Sequence, residues 1–191
     1  MMTSQNNLLI RSAQLTDAAT LATLSRQLLL HEKSLNETMG ELTRWAATEA
    51  EIRKQLVRPN HRFFVAETDG EVIGYLKVIV AGQQLTRREL GLARWLLDRL
   101  EITARRVVNV LLRRPRPNVK AIGGYIAGIF VRPDARRAKV GQQLLAAAET
   151  WLRAQGITST ELHVLFINEG ARAFWEEAGY KPLTLGMRKK L

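Results

Sequence analysis

Between Tyr125 and Tyr180 the hydrophobic pattern changes period repeatedly, and each change is punctuated. The apolar run Tyr125–Val131 reads as a strand and is stopped by Arg132-Pro133-Asp134. Arg136-Arg137-Ala138-Lys139-Val140-Gly141 follows and leads into an Ala-rich helical pattern through Leu144, Leu145, Ala148 and Leu152. Gly156 closes that helix, a second strand is expected from Thr160 to Ile167, and Asn168 caps a further helix that ends at Gly179. The segment is therefore a strand, a basic turn, a helix, a strand and a helix. The first helix is expected to have a basic first turn containing a glycine. Free backbone N–H groups at such a start, reinforced by the helix dipole, suit phosphate or pyrophosphate.

The rest of the chain can be read in the same way. Leu8 to Ala13 is expected to be a strand, and Thr16 with Asp17 opens a helix with Leu21, Leu24 and Leu28 at helical spacing. A second helical stretch runs from Glu41 to Leu56 and stops before Pro59. Arg62–Thr68, the turn Asp69-Gly70 and Glu71–Val80 form a hairpin signal. Residues 82–120 then separate this hairpin from the strand Gly124–Val131. In that insertion Leu85, Leu92, Leu96, Leu100, Thr103, Val107 and Leu111 fall on one stripe of a helix, with Arg87, Arg94 and Arg105 opposite and a proline-rich stop at Arg113–Pro117. As one helix it would be about 45 Å long, so a break near Gly91 or Glu101 is expected. The insertion holds ten Lys or Arg and three Asp or Glu, or +7 of the net +11, so the basicity belongs mainly to this segment.

One order of residues has a family counterpart. Val131-x-Pro133-Asp134-x-Arg136 with the glycine turn, followed by Leu162-x-Val164, Asn168, Ala171, Phe174-Trp175-Glu176 and Gly179-Tyr180, resembles the GNAT acyltransferases (GCN5-related N-acetyltransferases). The resemblance covers Gly123 to Leu185 and, less closely, Leu8 to Val80. It implies an α/β fold (α+β) with a mixed, mostly antiparallel central sheet flanked by helices, and the basic helical insertion between the third and fourth strands. It also implies transfer of an acetyl group from acetyl-CoA directly to a primary amine. Backbone groups of Ile129, Phe130 and Val131 would pair with the pantetheine arm, and one of their N–H groups would face the thioester oxygen. Arg136, Arg137, Ala138, Lys139, Val140, Gly141 and Gln142 would wrap the pyrophosphate, with Asn168 and Phe174 on the far side.

The sequence departs from the family at two positions. Lys139 stands where the family usually has glycine, in a turn where a positive φ disfavours a side chain. Trp175 stands where many members carry a tyrosine that protonates the leaving thiolate, and an indole N–H has no useful acidity. Tyr180, Glu67 and the backbone of Phe130 remain as catalytic candidates. Phe174 and Trp175 read first as core, and Glu67, Glu71 and His163 as structural. The pair His31-Glu32 lies on the expected acceptor side. The alternative function is a catalytically weakened acyl-CoA-binding module that regulates or anchors through its basic insertion.

With 46% hydrophobic residues in 191, the chain supports one domain over 8–191, preceded by a flexible 1–7. The absence of an apolar run near 20 residues and of a signal-peptide pattern points to a cytoplasmic protein. Without cysteine and with three scattered histidines, no metal is expected. The insertion stripe can pack on the domain or on a second copy, forming a homodimer. It can instead border the acceptor site, or lie on a membrane surface or nucleic acid. Nucleic acid ranks last, because no groove-reading motif accompanies the charge.

Overall fold

The computed structural model describes residues 7–35, 46–81 and 123–187 together with Lys189. The insertion over 82–120, residues 1–6 and the first part of the helix expected over 41–56 lie outside them. Five strands form one sheet in the order β1 (Leu9–Ser12), β2 (His61–Thr68), β3 (Glu71–Ala81), β4 (Gly123–Val131) and β5 (Thr160–Leu162). The first three pairings are antiparallel and β4–β5 is parallel, so the sheet is mixed and mostly antiparallel, as expected. Its helices are α1 (Ala18–Leu35), α2 (Glu49–Leu56), α3 (Val140–Ala154) and α4 (Glu169–Glu177). No helix of the described residues is long and apolar enough to cross a membrane.

Strand alternation divides the core into two. Phe64 and Ala66 join Leu76, Val78 and Ile126 on the face covered by Val140, Leu144, Ala148 and Leu152 of α3 and by Trp175 of α4. Phe63 and Val65 point the other way and join Tyr75 and Phe130 beneath Leu21 and Leu24 of α1 and Ile52 of α2. Each fully buried leucine contributes about 1.5–3 kcal/mol by leaving water.

Side-chain bonds fix the helix starts. The Asp17 carboxylate accepts from the Gln14 N–H at 2.6 Å and pairs with Arg11 at 2.7 Å. Arg11 reaches Glu67 of β2, also at 2.7 Å, which ties β1, α1 and β2 together. The Arg11 guanidinium holds the Asp17 carboxyl below its usual range. Among the described residues α2 begins at Glu49 rather than Glu41, because Thr48 and Glu51 form a capping box in which each side chain accepts the other's N–H. At the other ends, Gly156 and Gly179 adopt φ of 74° and 89°. The Ile157 N–H then bonds Leu152 C=O at 3.0 Å, and the Tyr180 N–H bonds Trp175 C=O at 2.9 Å.

Two expectations from the sequence need correction. The second strand covers Thr160–Leu162 and not the whole of Thr160–Ile167, because β4 offers it only three partners, Gly124, Tyr125 and Ile126. Val164, Phe166 and Ile167 are exposed beyond the last pair. The basic residues also do not form the first turn of α3. Arg136 and Arg137 lie in a 3-10 turn, Pro133–Ala138, Lys139 is the cap residue, and the helix proper opens with Val140-Gly141-Gln142.

Candidate active site

The site begins with one extra residue. Lys77 pairs with Gly128 and Val78 pairs with Ile126, so Ala127 is bulged out of β4. The Arg132 N–H bonds Ile73 C=O at 2.9 Å, which sets the alternation at this end of the strand. The backbone groups of Phe130 and Gly128 therefore turn inward to β3, and those of Ile129 and Val131 turn outward. Before the bulge the outward residues are Gly124, whose N–H reaches Ser159 C=O at 2.9 Å, and Ile126. Since β5 pairs only as far as Leu162, the stretch from Ala127 to Val131 has no strand beside it on that side, and of its outward groups the Val131 C=O is taken by the Arg136 side chain. The stretch spans about 13 Å at 3.3 Å per residue and offers alternating donors and acceptors to an extended ligand.

The edge leads to the start of α3. A Cβ on Gly141 would lie 3.2 Å from Phe174 Cε2 and 3.8 Å from Ile129 Cδ1, so α3, α4 and β4 converge at this point. The close approach that requires glycine here is to the Phe174 ring. Lys139 caps α3 in the left-handed region, with φ 55° and ψ 22°, and the Gln143 N–H bonds its C=O at 3.1 Å. Val140, Gly141 and Gln142 thus present N–H groups that have no acceptor within the helix. The Gln142 side chain donates to Glu177 of α4 at 3.3 Å. Asn168 caps α4, its Oδ1 accepting from the Ala171 N–H at 3.0 Å.

The remaining expected donor-side residues are placed differently. Arg137 and Ala138 lie in the 3-10 turn. Arg136 folds back from that turn, its Nε donating to Val131 C=O at 3.1 Å and its guanidinium lying 5.9 Å from the Phe130 ring centre. It lines a cleft of about 570 Å³ on the α1 face, whose helical wall includes Thr20, Thr23, Gln27 and His31.

The catalytic candidates are not brought together. Tyr180 bonds Thr160 at 2.7 Å, and Thr160 pairs with Gly124 at the closed end of the β4–β5 pair. That is about 17 Å of strand from Ile129. Burial pushes its hydroxyl pKa up. Glu67 is committed to Arg11, and the Phe130 N–H points to β3. Trp175 is 7% exposed and sits edge-on between Phe174 and Tyr180, as a core residue. His163 Nδ1 bonds the Tyr125 hydroxyl at 3.1 Å.

Sequence reasoning missed the polar groups on the α1 and α2 side of the sheet. The Tyr75 phenol is 3% exposed, and burial pushes its pKa up to about 12. Lys77 donates to Gln55 of α2 at 2.8 Å, and burial lowers its pKa to about 8. Next to it, burial together with Lys77 and Arg58 lowers His61 to about 4. A lysine in the otherwise apolar run of β3 was a visible signal, but neither the face it points to nor the neighbouring bulge is written in the sequence.

The sequence matches the acetyltransferase (GNAT) family over residues 27–180. No curated protein matches it by sequence. Among solved structures it is similar to a tetramutant of the BH1408 protein from Bacillus halodurans, with 16% identity, TM-score 0.71, and 96% of this chain and 99% of that one covered. It is also similar to the PaiA N-acetyltransferase from Thermoplasma acidophilum in complex with coenzyme A, with 17% identity, TM-score 0.64 and coverage of 92% and 90%. A third likeness is to an aminoglycoside acetyltransferase from an uncultured soil metagenomic sample, with 15% identity, TM-score 0.61 and 98% of each chain covered.

Proposed function

The chain belongs to the acetyltransferase (GNAT) family, and from that premise we propose that it transfers an acetyl group from acetyl-CoA to a primary amine in one direct step. The carrying observation is the edge of β4 left open by β5, which lies against the open start of α3 where Ile129 meets Gly141. Pantetheine is an extended chain with two amides, and the outward N–H and C=O of Ile129 and the N–H of Val131 suit it as an added strand, the Val131 C=O being held by Arg136. The side chain of Phe130 lies on the acceptor side of the same strand. The N–H groups of Val140, Gly141 and Gln142 suit the pyrophosphate, with Arg136, Arg137, Ala138 and Lys139 in the preceding turn and Asn168 and Phe174 flanking it. The outward Ile129 N–H, rather than that of Phe130, is the donor available to a thioester oxygen.

The chemistry requires an amine that has lost its proton, a carbonyl polarised by a donor, and a proton for the leaving thiolate. Trp175 cannot supply that proton and Tyr180 lies at the closed end, so the thiolate takes it through solvent. The amine enters from the α1 and α2 side, where the cleft opens. A weakened acyl-CoA-binding module is the second reading, favoured by Trp175 and by a side chain at the left-handed Lys139.

Calorimetric titration with acetyl-CoA, with desulfo-CoA and ATP as controls, tests the donor site. Micromolar binding that depends on the pantetheine arm is expected, and G141E should abolish it by displacing Phe174 and setting a carboxylate against the phosphates. ATP binding as tight as acetyl-CoA, or unchanged affinity in G141E, would refute the donor site as drawn. Amine-dependent release of CoA separates the enzyme from the binding module.

A further inference from the structure

Ser25, Leu28 and Glu32 recur at spacings of three and four and so share one face of α1. That face lies on β4 beside the bulge. A Cβ on Gly128 would come within 3.3 Å of Leu28 Cδ2 and 3.5 Å of the Tyr75 hydroxyl. Glycine therefore leaves room for a phenol at the strand, one residue from Ala127. The Tyr75 hydroxyl thus lies against this face, and the charge of the Glu32 carboxylate adds to the effect of burial on the phenol. Glu32 is half-buried, and burial raises its own carboxyl pKa. Among the described residues, in a chain of net charge +11, it has no ion-pair partner. The carboxylates that line the cleft, Glu71 and Asp134, are both committed to Arg132, and Glu67 of β2 is committed to Arg11.

We propose that Glu32 is the catalytic residue that receives the acceptor ammonium group and takes its proton, with the Tyr75 phenol beside the same helix face. This rests on the acetyltransferase reading. The ammonium gives one proton to the Glu32 carboxylate, and the freed nitrogen lone pair forms the C–N bond at the thioester carbon. The C–S bond breaks, and the thiolate takes the second amine proton through solvent. Glu32 then releases its proton to water, so the products are amide, free CoA and one proton. A desolvated carboxylate is a better acceptor for that proton than one in water. The other titratable or charged groups on this face are His31 and Lys33 of α1, Arg58, His61, Lys77 and Tyr125. Lys77 is engaged by Gln55 and Tyr125 by His163.

The test measures CoA release from acetyl-CoA with 1,4-diaminobutane, glycinamide and sisomicin as probe amines, alongside the calorimetric Kd for acetyl-CoA. E32Q should lower kcat/KM roughly 100-fold or more and remove the acidic limb of its pH profile. Acetyl-CoA affinity and thermal midpoint should stay within about twofold and a few degrees of the wild type, and E32D should recover part of the activity. Y75F should keep the limb but shift its midpoint, as a positioning residue does. An E32Q enzyme with wild-type kcat/KM and an intact limb overturns the role of Glu32 alone. A wild-type chain that binds no acetyl-CoA, or releases no CoA with any probe amine, overturns the acetyltransferase reading and Glu32's role with it.

Discussion

The two faces of the sheet are built to different rules. Beneath α3 and α4 the buried side chains are aliphatic or aromatic, from Phe64 and Leu76 to Leu144, Leu152 and Trp175. Beneath α1 and α2 the core also holds a phenol, and a lysine, a histidine and a glutamate lie on its margin. Burial pushes all four toward their uncharged forms, raising Tyr75 and Glu32 and lowering Lys77 and His61. The first face stabilises the sheet. The second gives up stability to keep polar groups in a weakly solvated place beside β4.

Substitutions on each face can break this contrast. The largest effect is expected from Leu144→Ala on α3. Leu144 is fully buried, so unfolding in urea should show a loss of about 2–5 kcal/mol, with acetyl-CoA affinity of the folded protein unchanged. A loss below 1 kcal/mol would mean that α3 is not the main support.

The next effect is a pH dependence on the other face. His61 titrates at about 4 in the fold against roughly 6.5 in the unfolded chain, so the unfolded state takes up the proton first. Stability is fully present above roughly pH 6.5 and falls as pH drops toward 4, by about 1–2 kcal/mol after allowance for partial exposure. H61Q should flatten urea midpoints measured between pH 7.5 and 4.5.

Lys77 sharpens the same point with a gain. Its folded value of about 8 lies below roughly 10.4, so the cost of the buried ammonium is fully present below pH 8 and fades as pH rises to 10.4. Lys77→Met should stabilise the protein at pH 7 by about 1 kcal/mol, and a destabilised variant would show that the bond to Gln55 outweighs the burial. The smallest effect is expected at Lys139. Replacing it with glycine at φ 55° should add about 0.5–1 kcal/mol, and weaker acetyl-CoA binding in that variant, most evident at low salt, would assign its cation to the phosphates.

The legible parts of the molecule are those fixed by local chemistry. Asp69-Gly70 announces the hairpin, and Asn168 and Gly179 bracket α4. The capping box at Thr48 and Glu51 is equally local and sets the start of α2 at Glu49. Non-local facts were not legible. The strand expected to reach Ile167 stops at Leu162 because pairing depends on where β4 goes, and the basic turn gives no sign that Arg136 will fold back on Val131. Tyr180 and Glu67 are chemically suitable for proton transfer, yet their places in the fold commit them to Thr160 and Arg11.

Ala127 is a spare residue in the count of β4, and its own side chain is incidental. Without it Lys77 would still face Gly128 and Val78 would still face Ile126, so Phe130 would stay toward α1 and Ile129 and Val131 would stay outward, and only the bend of the bulge would go. That bend sits where β4 parts from β5, whose last pair is Leu162 with Ile126. The open edge is therefore tied to one surplus residue rather than to the identity of its neighbours. Alanine scanning of Ala127–Val131 would pass over it, whereas deleting the Ala127 codon should straighten β4 and let β5 pair further along it.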